Sequence, residues 1–271
     1  MATLRELGKR LKSTETVLEL SGAMRSVSTA KLARVGSLRA ACAPYAEGLR
    51  AAAALAGRSG ESAPTGGGKL FVLLSGNRGL CGGYNHELFD FFEAEVLKKE
   101  RDPVIATCGE KAAEYCREKG ISTAAHVRVS DVPSFEEARS FSDALRGLCE
   151  RTGAASVFIV YRRFENMLRQ PIEIRRFLPA ESENGGESEV LFIPDRETAA
   201  DSLFELALAA DAYDLLLSCA SGAQAAGVMA MRSAFDNAKL SRDKLESELN
   251  RLRQAGVTAS VLETAAGGKE I

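Results

Sequence analysis

The amino-acid sequence predicts an α/β protein in which two long terminal helices pair as an antiparallel coiled coil, with an α/β domain inserted between them. Three observations lead to this prediction. All seven prolines lie between residues 44 and 194, so both flanks of the 271-residue chain are free to form long helices. Both flanks carry apolar residues at coiled-coil spacing. Between them, short apolar runs alternate with helical patterns, as in a sheet covered by helices.

The first helix is expected over about Thr3–Leu55. Apolar positions recur in it at intervals of three and four residues, with one slip near residue 20. They are Leu4, Leu7, Leu11, Leu18, Leu20, Met24, Val27, Val35, Leu38, Cys42, Tyr45 and Leu49. At 1.5 Å per residue the helix would be about 80 Å long, and each glycine in it costs about 1 kcal/mol relative to alanine. Such a helix needs a partner along its length.

The second long helix is expected over Thr198–Ala266 and is that partner. Thr198 is the predicted N-cap, with Asp201 three residues later, as in a weak capping box. Two apolar stripes follow, Leu203–Leu217 and Val228–Leu252. Residues 1–57 and 198–271 would together form a coiled-coil shaft. Because part of each stripe has no domain of its own chain to cover it, the architecture implies a protein partner.

Residues 69–195 are expected to form the inserted domain, preceded by a glycine- and serine-rich linker over residues 58–68. The predicted strands are Leu70–Leu74, Val104–Thr107, Ser156–Tyr161, Glu173–Phe177 and Glu189–Ile193. The predicted helices of this domain are Glu87–Lys99, Glu110–Lys119 and Phe135–Glu150. The first three strands are apolar on both faces, which is typical of buried strands in a doubly wound, Rossmann-like domain.

Composition argues against several classes of protein. The formal charge is −2, with 35 basic and 37 acidic residues, whereas a nucleic-acid-binding protein should be clearly basic. No apolar run approaches the ~20 residues of a membrane-spanning helix, and the charged N-terminus is unlike a signal peptide. The six cysteines form no C-x-x-C pair and there are two histidines, so we expect free thiols in a reducing cytoplasm and no metal site.

The segment Ser75–Asn85 follows a predicted strand and opens a helix, which is where α/β proteins bind phosphate groups. Its glycines lack the G-x-G-x-x-G spacing, and no G-K-[ST] sequence follows them. Two interpretations therefore stay open, a tight strand-to-helix crossover and a ligand-binding loop. Cys81 lies near the predicted helix N-terminus with His86 close by, but no orienting acid is evident, so we expect no catalytic residue and no cofactor.

Three stretches of the chain resemble the γ subunit of F-type ATP synthase. The first comprises Arg10–Leu32 and Pro44–Glu47 and is similar to the family pattern around AM-x-x-V-x-x-x-K. The second is similar to the family sequence DRGLCGGxN, with matches at Arg78, Gly79, Cys81, Gly82, Gly83 and Asn85. The third comprises Met229–Met231, Asp236–Ala238, Asn250–Gln254 and Val257–Thr258. They lie in family order across nearly the whole sequence.

The resemblance implies a rotor subunit that is not itself catalytic. Its terminal helices would enter the cavity of an α3β3 hexamer, and its α/β domain would sit at the foot, against the ε subunit and the membrane c-ring. An ion flow, of protons or sodium, would turn the c-ring and this subunit together, and the β subunits would perform the nucleotide chemistry. The protein would then be peripheral, on the cytoplasmic face of a bacterial plasma membrane.

Six residues match positions that meet the β subunits in this family. They are Met24, Arg25, Lys31, Arg253, Gln254 and Thr258. An arginine or lysine there can form charge-assisted hydrogen bonds to acidic loops, which suits a contact that forms and breaks.

The sequence departs from the family pattern at four positions. Glu19 replaces a usual basic residue, Asn77 replaces the usual aspartate of the loop, and Ala223 and Gly227 replace a glutamate and an arginine. These departures indicate a somewhat divergent member and leave open a γ-like subunit of a related ATPase. A nucleotide-binding α/β enzyme and a homo-oligomeric coiled-coil scaffold are the alternatives from other classes.

Overall fold

The computed structural model describes residues 3–56, 67–179 and 195–267. Its helices are α1 (Leu4–Ala56), α2 (Tyr84–Phe92), α3 (Glu110–Glu118), α4 (Phe135–Thr152) and α5 (Arg196–Gly267). A π-helical turn, Glu93–Leu97, continues α2. The strands are β1 (Gly68–Leu74), β2 (Val104–Cys108), β3 (Ala125–Val127), β4 (Ala154–Arg162) and β5 (Ile172–Leu178).

Within these residues the five strands form one sheet in the order β3-β2-β1-β4-β5. The neighbours from β3 to β4 run parallel, with Leu70 opposite Val104 on one side and Val157 on the other. Strand β5 runs antiparallel to β4 and forms one edge of the sheet. The order follows from the chain, since β1 lies centrally and successive crossovers build outward in both directions.

Both faces of the sheet are covered by helices, which confirms the prediction of a doubly wound domain. On β1, Leu70, Val72 and Leu74 share one core with apolar residues of α1, α4 and α5. The alternate residues Phe71 and Leu73 share the other core with α2 and α3. Because successive side chains of a strand point to opposite faces, an uninterrupted apolar run such as this one serves two cores at once.

The chain folds as two compact units. The shaft unit contains α1 up to Val27 and α5 from Val228, and the sheet unit contains the residues from Ser28 to Gly227. In the sheet unit, α1 and α5 run antiparallel. Arg39 contacts Asp214 at 3.1 Å and Arg50 contacts Asp211 at 3.5 Å.

In the shaft unit the same two helices also pack together. A Cβ added at Gly22 would lie 3.5 Å from the Phe235 ring, and the Arg25 guanidinium stands 5.0 Å from the centre of that ring. Leu7 and Leu249 are buried. The predicted pairing of the terminal helices is therefore confirmed, although Leu20 and Val27 of the predicted stripe are exposed.

Two details of the sequence prediction are wrong. Helix α5 begins at Arg196, and its N-cap is Asp195, whose carboxylate accepts hydrogen bonds from the Thr198 N–H and hydroxyl at 2.9 Å. Thr198 therefore lies inside the helix, and the shorter, charged Asp195 caps it. Pro44 lies inside α1, within the predicted span Thr3–Leu55, and does not end the helix. Strand β3 was not predicted.

Two further predictions fall on other parts of the chain. The strand Glu189–Ile193 lies outside the described residues. So does the linker, apart from residues 67 and 68.

Candidate functional site

The loop after β1 is held in place by buried polar side chains. The Asn85 carbonyl oxygen accepts a hydrogen bond from Gly76 N–H at 3.2 Å, and its amide nitrogen donates to the Arg78 carbonyl at 3.3 Å. Ser75 Oγ accepts from the Ala112 N–H at 2.8 Å. Amides at the N-terminal end of α3, which could otherwise bind an anion, are thus occupied by the protein's own side chains. This geometry favours the crossover interpretation of the loop.

One glycine of this loop, Gly82, has the left-handed backbone that the turn requires. Gly82 has φ +59° and sits beside Leu80, which has φ +60° and is exposed. Gly79 has only the end of the Lys111 side chain near its Cβ position, whereas a Cβ at Gly83 would meet the Glu87 side chain. The left-handed backbone at positions 80 and 82 turns the chain from β1 into α2.

Cys81 lacks the surroundings of a reactive thiol. Its side chain is buried and lies 3.3 Å from the amide nitrogen of Asn85, and burial raises the pKa of the thiol. His86 is exposed and faces Asp90 at 3.7 Å on its own helix. A nucleophilic cysteine needs a lowered pKa and a positioned base, and neither is present here.

Asp131, in the loop between β3 and α4, collects three of the polar side chains that the sequence singled out. Its carboxylate lies 2.5 Å from Lys31 Nζ and 2.9 Å from Arg78 Nε, and it accepts a hydrogen bond from the Asn77 amide at 3.3 Å. Burial by itself would raise the pKa of Asp131, but the hydrogen bond and charge of Lys31, together with Asn77 and Arg78, lower it overall. We call these four residues the Asp131 cluster.

Sequence reasoning missed Asp131 altogether. It lies 100 residues from Lys31, and nothing in the local pattern distinguishes it from other loop aspartates. The matched position of Lys31 suggested a contact with a β subunit, whereas in this structure its ammonium group engages the carboxylate of its own chain. Only a contact between distant parts of the chain reveals the cluster.

Asn77 connects the Asp131 cluster to two further segments. Its side-chain oxygen accepts a hydrogen bond from the Glu110 N–H at 3.2 Å, at the start of α3. Its amide nitrogen donates to the Val129 carbonyl at 2.7 Å. An aspartate at position 77 could accept the Glu110 bond but could not donate to the Val129 carbonyl or to Asp131, and it would place a second carboxylate beside Asp131. The departure from the family pattern therefore fits the observed arrangement.

The other five matched residues lie in the shaft unit. Met24 and Arg25 are half-buried on α1, where Arg25 stacks on Phe235. Arg253, Gln254 and Thr258 are exposed on α5, and the Thr258 hydroxyl donates to the Gln254 carbonyl at 3.0 Å. Arg253 and Gln254 are thus exposed side chains of the shaft unit, whereas Lys31 belongs to the sheet unit.

Three large apolar residues accompany this polar set on the last turns of α5. They are Val257, Val261 and Leu262, each more than 60% exposed. Exposed apolar side chains clustered on one helical segment are typical of a surface that a partner covers.

The two small residues that replace charged family residues sit at close contacts. A Cβ added at Gly76 would lie 3.2 Å from the Ala223 side chain, and one added at Gly227 would lie 3.4 Å from Ser28 Oγ. Helix α5 therefore approaches both the loop after β1 and helix α1 closely. Small side chains at 223 and 227 permit this approach, which larger charged ones would hinder.

No group of three or more metal-ligating side chains occurs in the part of the chain that the structure describes. Over the same residues, none of the helices combines the length and the apolar character that crossing a bilayer requires.

Comparison with known proteins gives a consistent result. The family model described as ATP synthase matches residues 3–269. The chain is 29% identical to the ATP synthase gamma chain of Rubrobacter xylanophilus, over 100% of this chain and 99% of that one. It is 30% identical to the ATP synthase gamma chain of Desulforamulus reducens, over 98% of each.

Solved structures share the fold. A chain in the cryo-EM structure of the Euglena gracilis mitochondrial ATP synthase (OSCP/F1/c-ring, rotational state 3) superposes with a TM-score of 0.71 and 15% identity, over 99% of this chain and 96% of that one. A chain of the Tetrahymena thermophila mitochondrial ATP synthase central stalk/c-ring structure gives a TM-score of 0.62 and 18% identity, over 79% of this chain and 99% of that one.

Proposed function

Because the chain belongs to the ATP synthase gamma chain family, we propose that it is the central-stalk rotor subunit of an F-type ATP synthase. It couples rotation driven by a proton or sodium flow to ATP synthesis and hydrolysis in an α3β3 hexamer. The observation that carries this proposal is the family match across residues 3–269, which includes both terminal helices and the inserted domain.

The shaft would be formed by residues 1–57 and 198–271, and the foot by residues 69–195. The exposed Arg253, Gln254 and Thr258, with the apolar residues beside them, would contact the hexamer. The foot would bind the ε subunit and the c-ring, which places the protein peripherally on the cytoplasmic face of a bacterial plasma membrane. This placement agrees with relatives named gamma chains in bacteria.

A non-catalytic role fits the geometry of the loop after β1. Two backbone N–H groups at the start of α3 that could bind a phosphate, those of Glu110 and Ala112, already donate hydrogen bonds to the side chains of Asn77 and Ser75. The buried Cys81 has a raised pKa. Nucleotide chemistry would therefore belong to the β subunits, and this chain would supply only asymmetry and rotation.

Reconstitution tests the proposal. The chain is mixed with the α and β subunits of an F-type ATP synthase from the same organism, and the complex is analysed by gel filtration, mass spectrometry and ATP turnover. We expect a stable α3β3γ complex with faster ATP turnover than α3β3 alone, and the ε subunit and c-ring should co-purify from membranes. Elution of the chain without α and β subunits would contradict the proposal.

Arg253 provides a sharper test of the hexamer contact. Because Ala223 and Gly227 cannot form an ion pair, Arg253 should carry a larger share of the polar coupling than in a typical member. Removing one partner of a desolvated charge pair costs on the order of 2–5 kcal/mol, against less than ~1 kcal/mol for an exposed pair. Arg253→Ala should therefore lower the ATP turnover of the α3β3γ complex well below that of the wild type.

The matched control is Lys98→Ala. Lys98 is exposed and lies 3.8 Å from Glu93 in the sheet unit, so its removal changes the same charge without affecting the shaft. Wild-type turnover by the Arg253→Ala complex would show that the shaft acts by shape alone and that Arg253 is wrongly assigned.

A γ-like subunit of a divergent, related ATPase is a second candidate. The observation in its favour is that four charged positions of the family pattern differ in this chain. The charge is reversed at Glu19 and absent at Asn77, Ala223 and Gly227. The α and β chains recovered with the protein decide between the two, since a second ATPase would supply its own distinct pair.

A further inference from the structure

We infer that Asp131 is a positioning residue that fixes helix α1 to the α/β domain, so that the foot and the shaft helix turn together under load. The inference rests on the proposed rotor function for its meaning, whereas the contact itself is a feature of the fold. All residues involved lie in the sheet unit.

The Asp131 cluster joins parts of the chain that are distant in sequence. Lys31 comes from α1, Arg78 from the loop after β1, and Asp131 from the loop before α4. The Lys31 and Asp131 side chains are 25% and 17% exposed, so the pair is largely shielded from water. A shielded charge pair resists separation more than an exposed one, because breaking it leaves a poorly solvated charge behind.

The cluster is also anchored to the backbone of the domain. Asn77 bonds Asp131 and Val129 through its amide nitrogen and the start of α3 through its oxygen. Arg78 is held in turn by the Asn85 amide on its carbonyl. A force applied to Lys31 is therefore passed to the carboxyl-end loops of the sheet and to α3, not to a single flexible side chain.

The rest of the contact between α1 and the domain is mostly apolar, with Arg39 as a second polar contact on the other side of the sheet order. Val35, Cys42 and Ala46 pack α1 against the apolar core, and apolar packing is non-directional. Arg39 pairs with Asp214 of α5 and donates to the Phe164 carbonyl at 2.9 Å. Small apolar side chains permit a helix to slide or roll, whereas the directional Lys31–Asp131 bond opposes such movement.

The ionisation of Asp131 is consistent with this role. Its pKa is lowered, so the carboxylate is charged at neutral pH and holds both cations. The other groups facing it are the Lys31 ammonium, the Arg78 guanidinium and the neutral Asn77 amide.

The experiment compares an unloaded and a loaded activity of the assembled enzyme. ATP hydrolysis is measured in the α3β3γ complex, where nothing resists the foot, and ATP synthesis in the holoenzyme in vesicles, driven by an ion gradient. For Asp131→Asn we expect hydrolysis within about twofold of the wild type and synthesis reduced by roughly fivefold or more, the factor that corresponds to losing about one charged contact. Asp131→Glu, which keeps the charge, should restore most of the synthesis.

The matched control is Glu100→Gln. Glu100 pairs with Lys69 at 2.7 Å inside the domain, so this change removes a carboxylate charge without touching α1, and both activities should stay at the wild-type level. Hydrogen exchange in the α3β3γ complex adds a direct readout. Amides of residues 28–35 should exchange roughly 5–30-fold faster in Asp131→Asn.

Each outcome decides one question. Failure of the wild-type holoenzyme to synthesise ATP would contradict the proposed function. Synthesis by Asp131→Asn equal to that of a coupled wild type would overturn the inference, as would a parallel loss of hydrolysis and synthesis, which indicates general destabilisation. If Asp131→Asn does not assemble, Lys31→Gln removes the same ion pair from the α1 side, and unchanged exchange at residues 28–35 in that variant would also overturn the inference.

Discussion

At the scale of single residues, the charge of Asp131 matters more than its position in the sequence suggests. A loop aspartate is ordinarily a solvated group of little energetic weight. Here it is partly buried and contacts two cations, Lys31 and the more exposed Arg78, and an asparagine at position 77 supplies an additional donor. The identity of residue 77 and the ionisation of residue 131 are therefore linked.

This arrangement predicts a specific dependence of stability on pH. The folded-state pKa of Asp131 is below its unfolded value of about 3.9, so the stabilisation is complete above that value and is lost as the pH falls through the folded pKa. Asp131→Asn should lower the free energy of unfolding by about 1–2 kcal/mol at pH 7, and the difference from the wild type should shrink below about pH 4.

Urea unfolding of the purified chain at several pH values between 7 and 3.5 measures this difference. Glu100→Gln is again the control, because its partner Lys69 is half-exposed. A difference that grows on acidification would mean that Asp131 is stabilised in its protonated form.

At the scale of elements, the two glycines that flank helix α3 both have a positive φ, but they differ in the space available for a side chain. Gly109 precedes α3 with φ +93°, and any Cβ there would overlap the Ser75 carbonyl oxygen. Gly120 follows α3 with φ +68°, and its Cβ position faces open space. The first glycine is required by both conformation and close approach, the second by conformation alone.

Substitution by alanine should separate these two causes. Gly120→Ala should cost about 1–2 kcal/mol in the free energy of unfolding, from the left-handed backbone. Gly109→Ala should cost about 3–5 kcal/mol, because backbone strain and overpacking add. The two urea midpoints give the comparison, and equal losses would show that the loop after β1 relaxes away from position 109.

The elements that sequence reasoning predicted are those with strong local signals. The apolar runs of β1, β2 and β4 and the long proline-poor flanks are visible without any knowledge of the fold. Strand β3 is three residues long and reads Ala-His-Val, so only its pairing with β2 reveals it. The cap of α5 was misplaced because Asp195 and Thr198 are both suitable cap residues, and the choice depends on the course of the chain.

The candidate site likewise contains residues that the sequence suggested and residues that only the fold reveals. Matched motifs along one helix suggested Arg253, Gln254 and Thr258 as contact residues, and these stay predictions until a complex is tested. The Asp131 cluster was beyond prediction, because it depends on side chains 100 residues apart meeting across the fold.

At the scale of the whole molecule, the two units differ in how much apolar surface they bury. Leu70–Leu74 of the sheet unit is buried throughout, whereas Leu20, Leu240 and Val257 of the shaft unit are more than half exposed. Local stability follows burial, so the shaft unit should open more readily when no partner covers it.

Hydrogen exchange on the purified chain tests this expectation. Amides of residues 70–74 should exchange slowest, and those of residues 3–27 and 228–267 much faster, with the shaft unit becoming protected in the α3β3γ complex. The sheet unit serves as the internal control, since assembly should change its exchange little. Uniformly slow exchange in the unassembled chain would contradict the expectation.

The composition of the shaft unit also bears on the order in which the chain folds. It joins residues up to Val27 with residues from Val228 onward, so its contacts span about two hundred positions of the sequence. Closing so long a loop loses chain entropy before any stabilising contact has formed. Folding rates therefore fall as contacts become less local in sequence. Strands β1, β2 and β4, whose pairings are far more local, can assemble first during synthesis. The part of α1 up to Val27 then stays without its partner until the ribosome has released residues 228 onward, and its uncovered apolar side chains make that segment prone to aggregation in the interval.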